Sequence, residues 1–314
     1  MKKSFLFTLA ATAALFVSCS NDETVEVAKS HNAIEFKGFV NHSTRATDLT
    51  AANLEGFKIW GIMKKDGNIG KPFLAKNIAK QAGVWTYSPP VYWETGYTYS
   101  FTALAPNDAN YTYEAPEDYQ QWGKMSYDNT QMKDLMFAAN DFGEITAGAC
   151  PVPVNLTFNH ILSRARFKFT NGMNDGSIVK VTDIKITNAP TKGVCTLAAS
   201  LGDISWTTTD PALLDFGNIT YQVSEICGMT SHKYMLPSTQ SYQVTFKVTR
   251  QHNGVTDVYN HTITMSPVTM QPGKSYQFAA ELNAANINPN EELCEIKFDI
   301  SVNGWENYND ETLL

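Results

Sequence analysis

Two residues near the start of the chain have the type and spacing to do chemistry. Cys19 follows Phe16-Val17-Ser18 at the end of an apolar run, with a small residue directly before the thiol. That is the spacing of a lipobox, in which the cysteine receives fatty-acyl chains after the leader is removed. The chains anchor a protein to a bilayer without spanning it. Arg45 stands in the polar loop His42-Ser43-Thr44-Arg45-Ala46-Thr47-Asp48 and is the only arginine before Arg164. Its chemistry is that of a substrate: a trypsin-like protease would cut between Arg45 and Ala46. The other reading of Arg45 is a solvated loop residue.

Other reactive side chains read as structural. His160 sits among strand residues and is expected to be a hydrogen-bonded structural histidine. Arg164 and Arg166 alternate with Ala165, Phe167 and Phe169, which places them on the polar face of a strand, in solvent or at an interface. Asp66-Gly67 and Asp175-Gly176 have the look of turns, without the spacing of a calcium loop. Cys150, Cys195, Cys227 and Cys294 lie far apart with no CxxC, so a metal site is not expected. Their pairing as disulfides or persistence as buried thiols is left open. No nucleophile elbow, phosphate loop or paired-histidine motif occurs. Neither an enzyme nor a cofactor is expected. Lys+Arg 24 against Asp+Glu 31 gives a net charge of −7, which speaks against nucleic acid as a partner.

The elements that must position Cys19 and Arg45 are legible in order. Lys2 and Lys3 precede an apolar stretch too short to span a membrane, so residues 1–18 read as a signal peptide. An acidic tail, Ser20-Asn21-Asp22-Glu23, suits a tether. Then comes an alternating segment in which Ile34, Phe36, Phe39 and Val40 supply apolar side chains. It reads as a β-strand lying between the anchor and the cut site, and therefore detachable. About 295 residues follow the leader, enough for two domains of ordinary size.

The remainder is patterned for sheet. Phe57, Ile59, Gly61 and Met63 alternate with Lys58, Trp60, Ile62 and Lys64. Tyr97 to Leu104, Val154 to Thr170, Val179 to Thr187 and Tyr242 to Met265 alternate likewise, the last around Asn253-Gly254. Asn-Gly between alternating runs predicts a tight hairpin. Ile296, Phe298, Ile300 and Val302 close the series. The stretch from Asn107 to Lys133 is polar and is expected to be a long surface loop. Pro151-Val152-Pro153 reads as a joint. The expected division is a lipidated propeptide over 19–45 and two β-sandwiches over 46–153 and 154–314, with no sustained helix.

These pieces resemble, in order, the fimbrillin family, the subunits of type V pili of Gram-negative anaerobes. The matching stretches begin with the lipobox and its acidic tail and the Ser43-Thr44-Arg45-Ala46 loop. Tyr92-Trp93 follows, then Tyr99 to Pro106 and Asp134-Leu135-Met136-Phe137-Ala138. Leu156 to Phe167 and a closing Val302-Asn303-Gly304-Trp305 complete the set. The resemblance implies an all-β chain of two transthyretin-like β-sandwich domains in tandem. It implies export as a lipoprotein to the outer membrane, cleavage in the arginine loop by a trypsin-like maturation protease, and polymerisation with other fimbrillin subunits by strand exchange, supporting adhesion. A donor strand is expected within residues 296–314. The alternative is a monomeric surface lipoprotein that binds glycans or host ligands, for which the aromatic stretch from Tyr111 to Tyr127 would be the stacking surface.

Overall fold

In the computed structural model the described residues are 32–40, 48–50, 52–65, 71–116, 122–146, 152–219, 228–291 and 294–305. Alternating apolar residues give β1 (Phe36–Val40), β2 (Gly56–Lys64), β3 (Lys71–Gln81), β4 (Val84–Thr86) and β5 (Thr98–Ala105). Next come β6 (Tyr111–Glu114), β7 (Lys124–Asp128), β8 (Met136–Phe142), β9 (Val154–His160) and β10 (Ser163–Asn171). The long β11 (Ile178–Thr196) leads to β12 (Ser205–Gly217), β13 (Gly228–Met229), β14 (Lys233–Met235) and β15 (Ser238–Gln240). The series closes with β16 (Gln243–His252), β17 (Val255–Thr264), β18 (Val268–Met270), β19 (Lys274–Leu282) and β20 (Asp299–Gly304). The helical elements among the described residues are two single 3-10 turns, at Asn129–Gln131 and Leu201–Asp203. The chain is all-β, as its alternation predicts.

The first sheet has the order β1-β9-β8-β5-β2-β3-β4. Its two edges approach each other. The Tyr87 hydroxyl, just past β4, donates to the Ile34 carbonyl at 2.7 Å, and a Cβ on Gly38 would stand 3.4 Å from the Trp85 ring. Phe57, Phe101, Phe158 and Trp93 fill the space enclosed. A second core lies between the sheet β13-β10-β19-β20, which also carries β14, and the sheet β17-β16-β11-β7-β6, which also carries β12. Phe167, Phe169, Phe246 and Phe278 are its largest members. The Asn253-Gly254 hairpin forms between β16 and β17, with φ of 50° and 79° at the two turn residues, the left-handed pair that this turn requires.

Several segments differ from the expectation. The alternating stretch Val154 to Thr170 is divided between two sheets: β9 joins β8 and β1 in the first, while β10 pairs with β19 and β14. The chain changes sheets at Ile161-Leu162, after β9 rather than before it. The stretch from Asn107 to Lys133 is no surface loop. It contains β6 and β7, and β7 pairs with β11 from Lys192↔Asp128 to Thr196↔Lys124. A hairpin from the first half of the chain thus completes a sheet of the second. Among its described rings Tyr111 and Tyr127 are buried, and the Tyr113 ring lies 4.2 Å from that of Trp60. Asp66-Gly67, Cys150, Pro151 and Cys227 lie outside the described residues. Cys195 is a buried free thiol, pushed up by that burial, and Cys294 is an exposed one.

Between the two main cores sits a third. Leu104, Met125, Phe137, Ile161, Leu162 and Leu236 contribute to it, and Trp305 seals it. Here Arg164 and Arg166 depart furthest from expectation. Neither faces solvent; they are 0% and 4% exposed. Alternation does turn them away from Ala165, Phe167 and Phe169. At Arg164 that second face of β10 is covered by Trp305 of the third core, while Arg166 Nε donates to Gln277 Oε1 of β19 at 2.9 Å, so residues on the polar side of the strand are buried too.

Candidate functional site

Segment 32–40 is held from both flanks. Ahead of β1, Ile34 N–H donates to the Val91 carbonyl and Trp93 N–H to the Asn32 carbonyl, both at 2.9 Å. β1 itself runs parallel to β9, in the register Phe36↔Val154, Gly38↔Leu156 and Val40↔Phe158. Parallel pairing is slightly less stable per residue than antiparallel. The side chains do much of the holding. Ile34 and Phe36 are 1% and 5% exposed, and Phe36 meets Phe101 edge-on at 5.6 Å and Tyr87 at 5.8 Å. Val40 is half-buried against the same core. Burying two large apolar side chains contributes about 3–6 kcal/mol gross. β1 ends the sheet order, so the ladder it leaves behind is that of one neighbour. Phe39 lies in β1 by its backbone, with its side chain outside the described residues. Cys19, Arg45 and Ala46 also lie outside them.

Residues 41–47 join β1 to a second feature that the sequence did not announce. Asp48 is buried, and its carboxylate accepts from Arg164 Nη1, from Trp305 Nε1 at 3.0 Å and from the Tyr234 hydroxyl at 3.0 Å. Arg164 Nη2 donates to the Trp305 carbonyl at 2.5 Å, Nε to Ser275 Oγ at 3.0 Å, and the guanidinium lies 4.7 Å over the Trp305 ring. That ring is stacked between His160, at 4.4 Å and 4°, and Tyr234, at 5.8 Å and 8°. His160 Nδ1 in turn meets Asp134, which also accepts from the Leu49 N–H at 3.1 Å. His160 is therefore the hydrogen-bonded structural histidine expected. Burial, and behind it the carboxylates of Asp134 and Asp48, pushes the Tyr234 hydroxyl well up, which keeps it a donor.

The partners of Arg164 stand 116 residues away at Asp48 and 141 away at Trp305. No local pattern could have paired them. One signal was available: an arginine in a strand whose neighbours are Leu162, Ala165 and Phe167 has a fair chance of burial, and buried arginine demands an acid.

An all-β body of packed sheets, with β1 at the edge of the first, defines the class by its fold: a β-sandwich protein. The chain belongs to the fimbrillin-like family, whose model matches residues 44–305. Membership gives it a fimbrial or adhesin role at the cell surface, among other fimbrial subunits. Among solved structures it is similar to a candidate cell-adhesion protein of Bacteroides ovatus, at 14% identity and a TM-score of 0.52, covering 88% of this chain and 99% of that one. A candidate cell-adhesion protein of Bacteroides uniformis aligns at 14% identity and a TM-score of 0.44, over 87% and 97% of the two chains. The fimbrial anchor protein Mfa2 of Porphyromonas gingivalis aligns at 10% identity and a TM-score of 0.40, over 87% and 98%. No curated protein matches the chain.

Proposed function

We propose that the protein is a structural subunit of a fimbria, exported to the outer membrane as a lipoprotein through Cys19 and assembled by protease-triggered strand exchange. The observation that carries this reading is the position of β1. It is an edge strand with buried apolar side chains, and it is joined to the body only through residues 41–47, which contain Arg45. A cut between Arg45 and Ala46 turns an intramolecular strand into a free peptide. Its effective concentration, of millimolar order while tethered by a short linker, then collapses. The β9 edge and the pockets of Ile34 and Phe36 become open to a strand of another subunit, because an unpaired edge recruits one.

Residues 296–314 are the donor in this reading. β20 leaves Ile300 and Val302 exposed at 40% and 48%. Its Ile300-x-Val302-x-Gly304 repeats the spacing of Ile34-x-Phe36-x-Gly38. The reading assigns the protein no catalytic step.

In cells that process the wild type, Arg45→Ala is expected to accumulate as a full-length monomer, while wild-type polymers begin at Ala46 and run as SDS-resistant ladders. Wild-type polymers that begin at Cys19, or ladders of Arg45→Ala as abundant as wild type, overturn the mechanism. A wild-type chain that never ladders after limited trypsin treatment favours the monomeric, glycan-binding alternative. Cys19→Ala is expected to take up no fatty-acid probe; labelling of that variant removes the anchor assignment.

A further inference from the structure

The polar cluster around Arg164 ties together two parts of the chain that the strand-exchange reading treats separately. Asp48 lies three residues beyond Arg45, and Trp305 directly follows β20. The two are 257 residues apart and share one hydrogen bond, Trp305 Nε1 to Asp48 Oδ2 at 3.0 Å. They also share one guanidinium, since Arg164 gives Nη1 to the Asp48 carboxylate and Nη2 to the Trp305 carbonyl. Asp48 and Trp305 stand close to the two limits of the region that matches the family, 44–305. We infer that this cluster is a latch coupling the two ends of the body, so that the chain at Asp48 and the end of β20 hold each other in place.

The energetics run in both directions. Arg164 is 0% exposed, and its charge has lost its water. If the segment at Asp48 leaves, the guanidinium loses its carboxylate and the Trp305 indole N–H loses its acceptor. If Trp305 leaves, the Asp48 carboxylate loses a donor, and Arg164 loses both a carbonyl and the ring beneath it. Groups in one buried network stabilise one another beyond their pairwise sum, so loosening one end weakens the other.

β20 depends on this latch more than an ordinary strand would. Asp299 to Asn303 are exposed, so the strand buries little of itself. It is fastened along one side by its ladder to β19, from Lys274↔Gly304 to Ala279↔Asp299. Its leading end is fastened by Ile296 and Phe298 in the second core, and its trailing end by Trp305. Trp305 N–H also donates to the Gly273 carbonyl at 3.2 Å. The Asp48 end is fastened by the cluster and by the Leu49 N–H on Asp134. The consequence for assembly rests on the strand-exchange reading: the same latch that moors the body's end after cleavage would restrain β20 from leaving as a donor. The coupling itself needs neither cleavage nor assembly.

Hydrogen exchange followed by mass spectrometry on the uncleaved full chain tests it. Asp48→Asn removes the charge and keeps an acceptor; Trp305→Phe removes the indole N–H and keeps a ring between His160 and Tyr234. Asp48→Asn is expected to speed exchange of the β20 amides about tenfold, and Trp305→Phe to speed exchange of the Leu49 and Leu54 amides by a similar factor. Coupling between sites is reciprocal and commonly of this size. In both variants the β5 and β16 amides should exchange as in wild type. Two results overturn the latch: each variant loosening only its own end, or both variants speeding exchange evenly throughout the protein, which marks a residue of global stability alone. Should Asp48→Asn fail to fold, the Trp305→Phe arm decides by itself, since it asks whether a change at one end is felt at the other. None of these outcomes depends on Arg45 being cut, so failure here leaves the strand-exchange reading standing.

Discussion

Arg164→Met is expected to destabilise the protein by about 3–5 kcal/mol, the usual cost of breaking a buried ion pair by removing one partner. The methionine fits the volume and lacks the charge. Asp48 is left buried, with Tyr234 and Trp305 as neutral donors and no cation. The carboxylate then lies buried without its guanidinium, which is unfavourable. The denaturant midpoint reads the effect. The paired change Asp48→Asn with Arg164→Met should recover part of the loss, because it removes the orphaned charge and keeps an acceptor for Tyr234 and Trp305. Arg250→Met serves as the contrast. Its partner Asp175 is partly solvated, so the midpoint should stay within scatter of wild type. An Arg164→Met midpoint equally close to wild type would show that the cluster contributes nothing to stability.

The second large effect concerns β1. Phe36→Asp should free segment 32–40 while residue 45 remains uncut. Phe36 is 5% exposed, against Phe101 and Tyr87, so an aspartate there is an unpaired charge in an aromatic pocket. The variant loses the burial of a large ring, about 1.5–3 kcal/mol, and adds the still larger penalty of a desolvated carboxylate. The rest of the first sheet should survive. β1 is its edge, and β9 keeps its pairing to β8 through Met136↔His160 and Phe137↔Asn159. Limited proteolysis should therefore find new cuts around Lys37, and native gels should show assembly by the full-length chain. If the whole first sheet loses protection instead, β1 is an integral strand and the detachable-segment reading falls.

These two residues differ in how far the sequence revealed them. Phe36 was legible because its evidence is local: alternation from Ile34 to Val40 reports a half-buried strand, and the pattern needs only its own neighbours. The same holds for the all-β class, for the Asn253-Gly254 hairpin, where left-handed backbone is needed at two adjacent residues, and for a structural His160. Arg164 was misplaced because alternation reports which residues share a face and not what covers that face. At Arg164 the polar side of β10 turned out to be roofed by Trp305 of a third core.

The limit is the range over which side chains inform one another. Short-range alternation and turn chemistry are set by backbone geometry, and the sequence alone determined the all-β class, many of the strands and the Asn253-Gly254 hairpin. Which strands become neighbours was decided by tertiary structure. β9 joined the first sheet and β7 the last because burying apolar surface rewards whichever distant faces fit, with no local mark of the choice. The meeting of Asp48, Arg164 and Trp305 belongs to the same kind. A buried charge must find its partners once the fold has closed, and here Arg164 found a carboxylate at one end of the body and a carbonyl and an indole ring at the other.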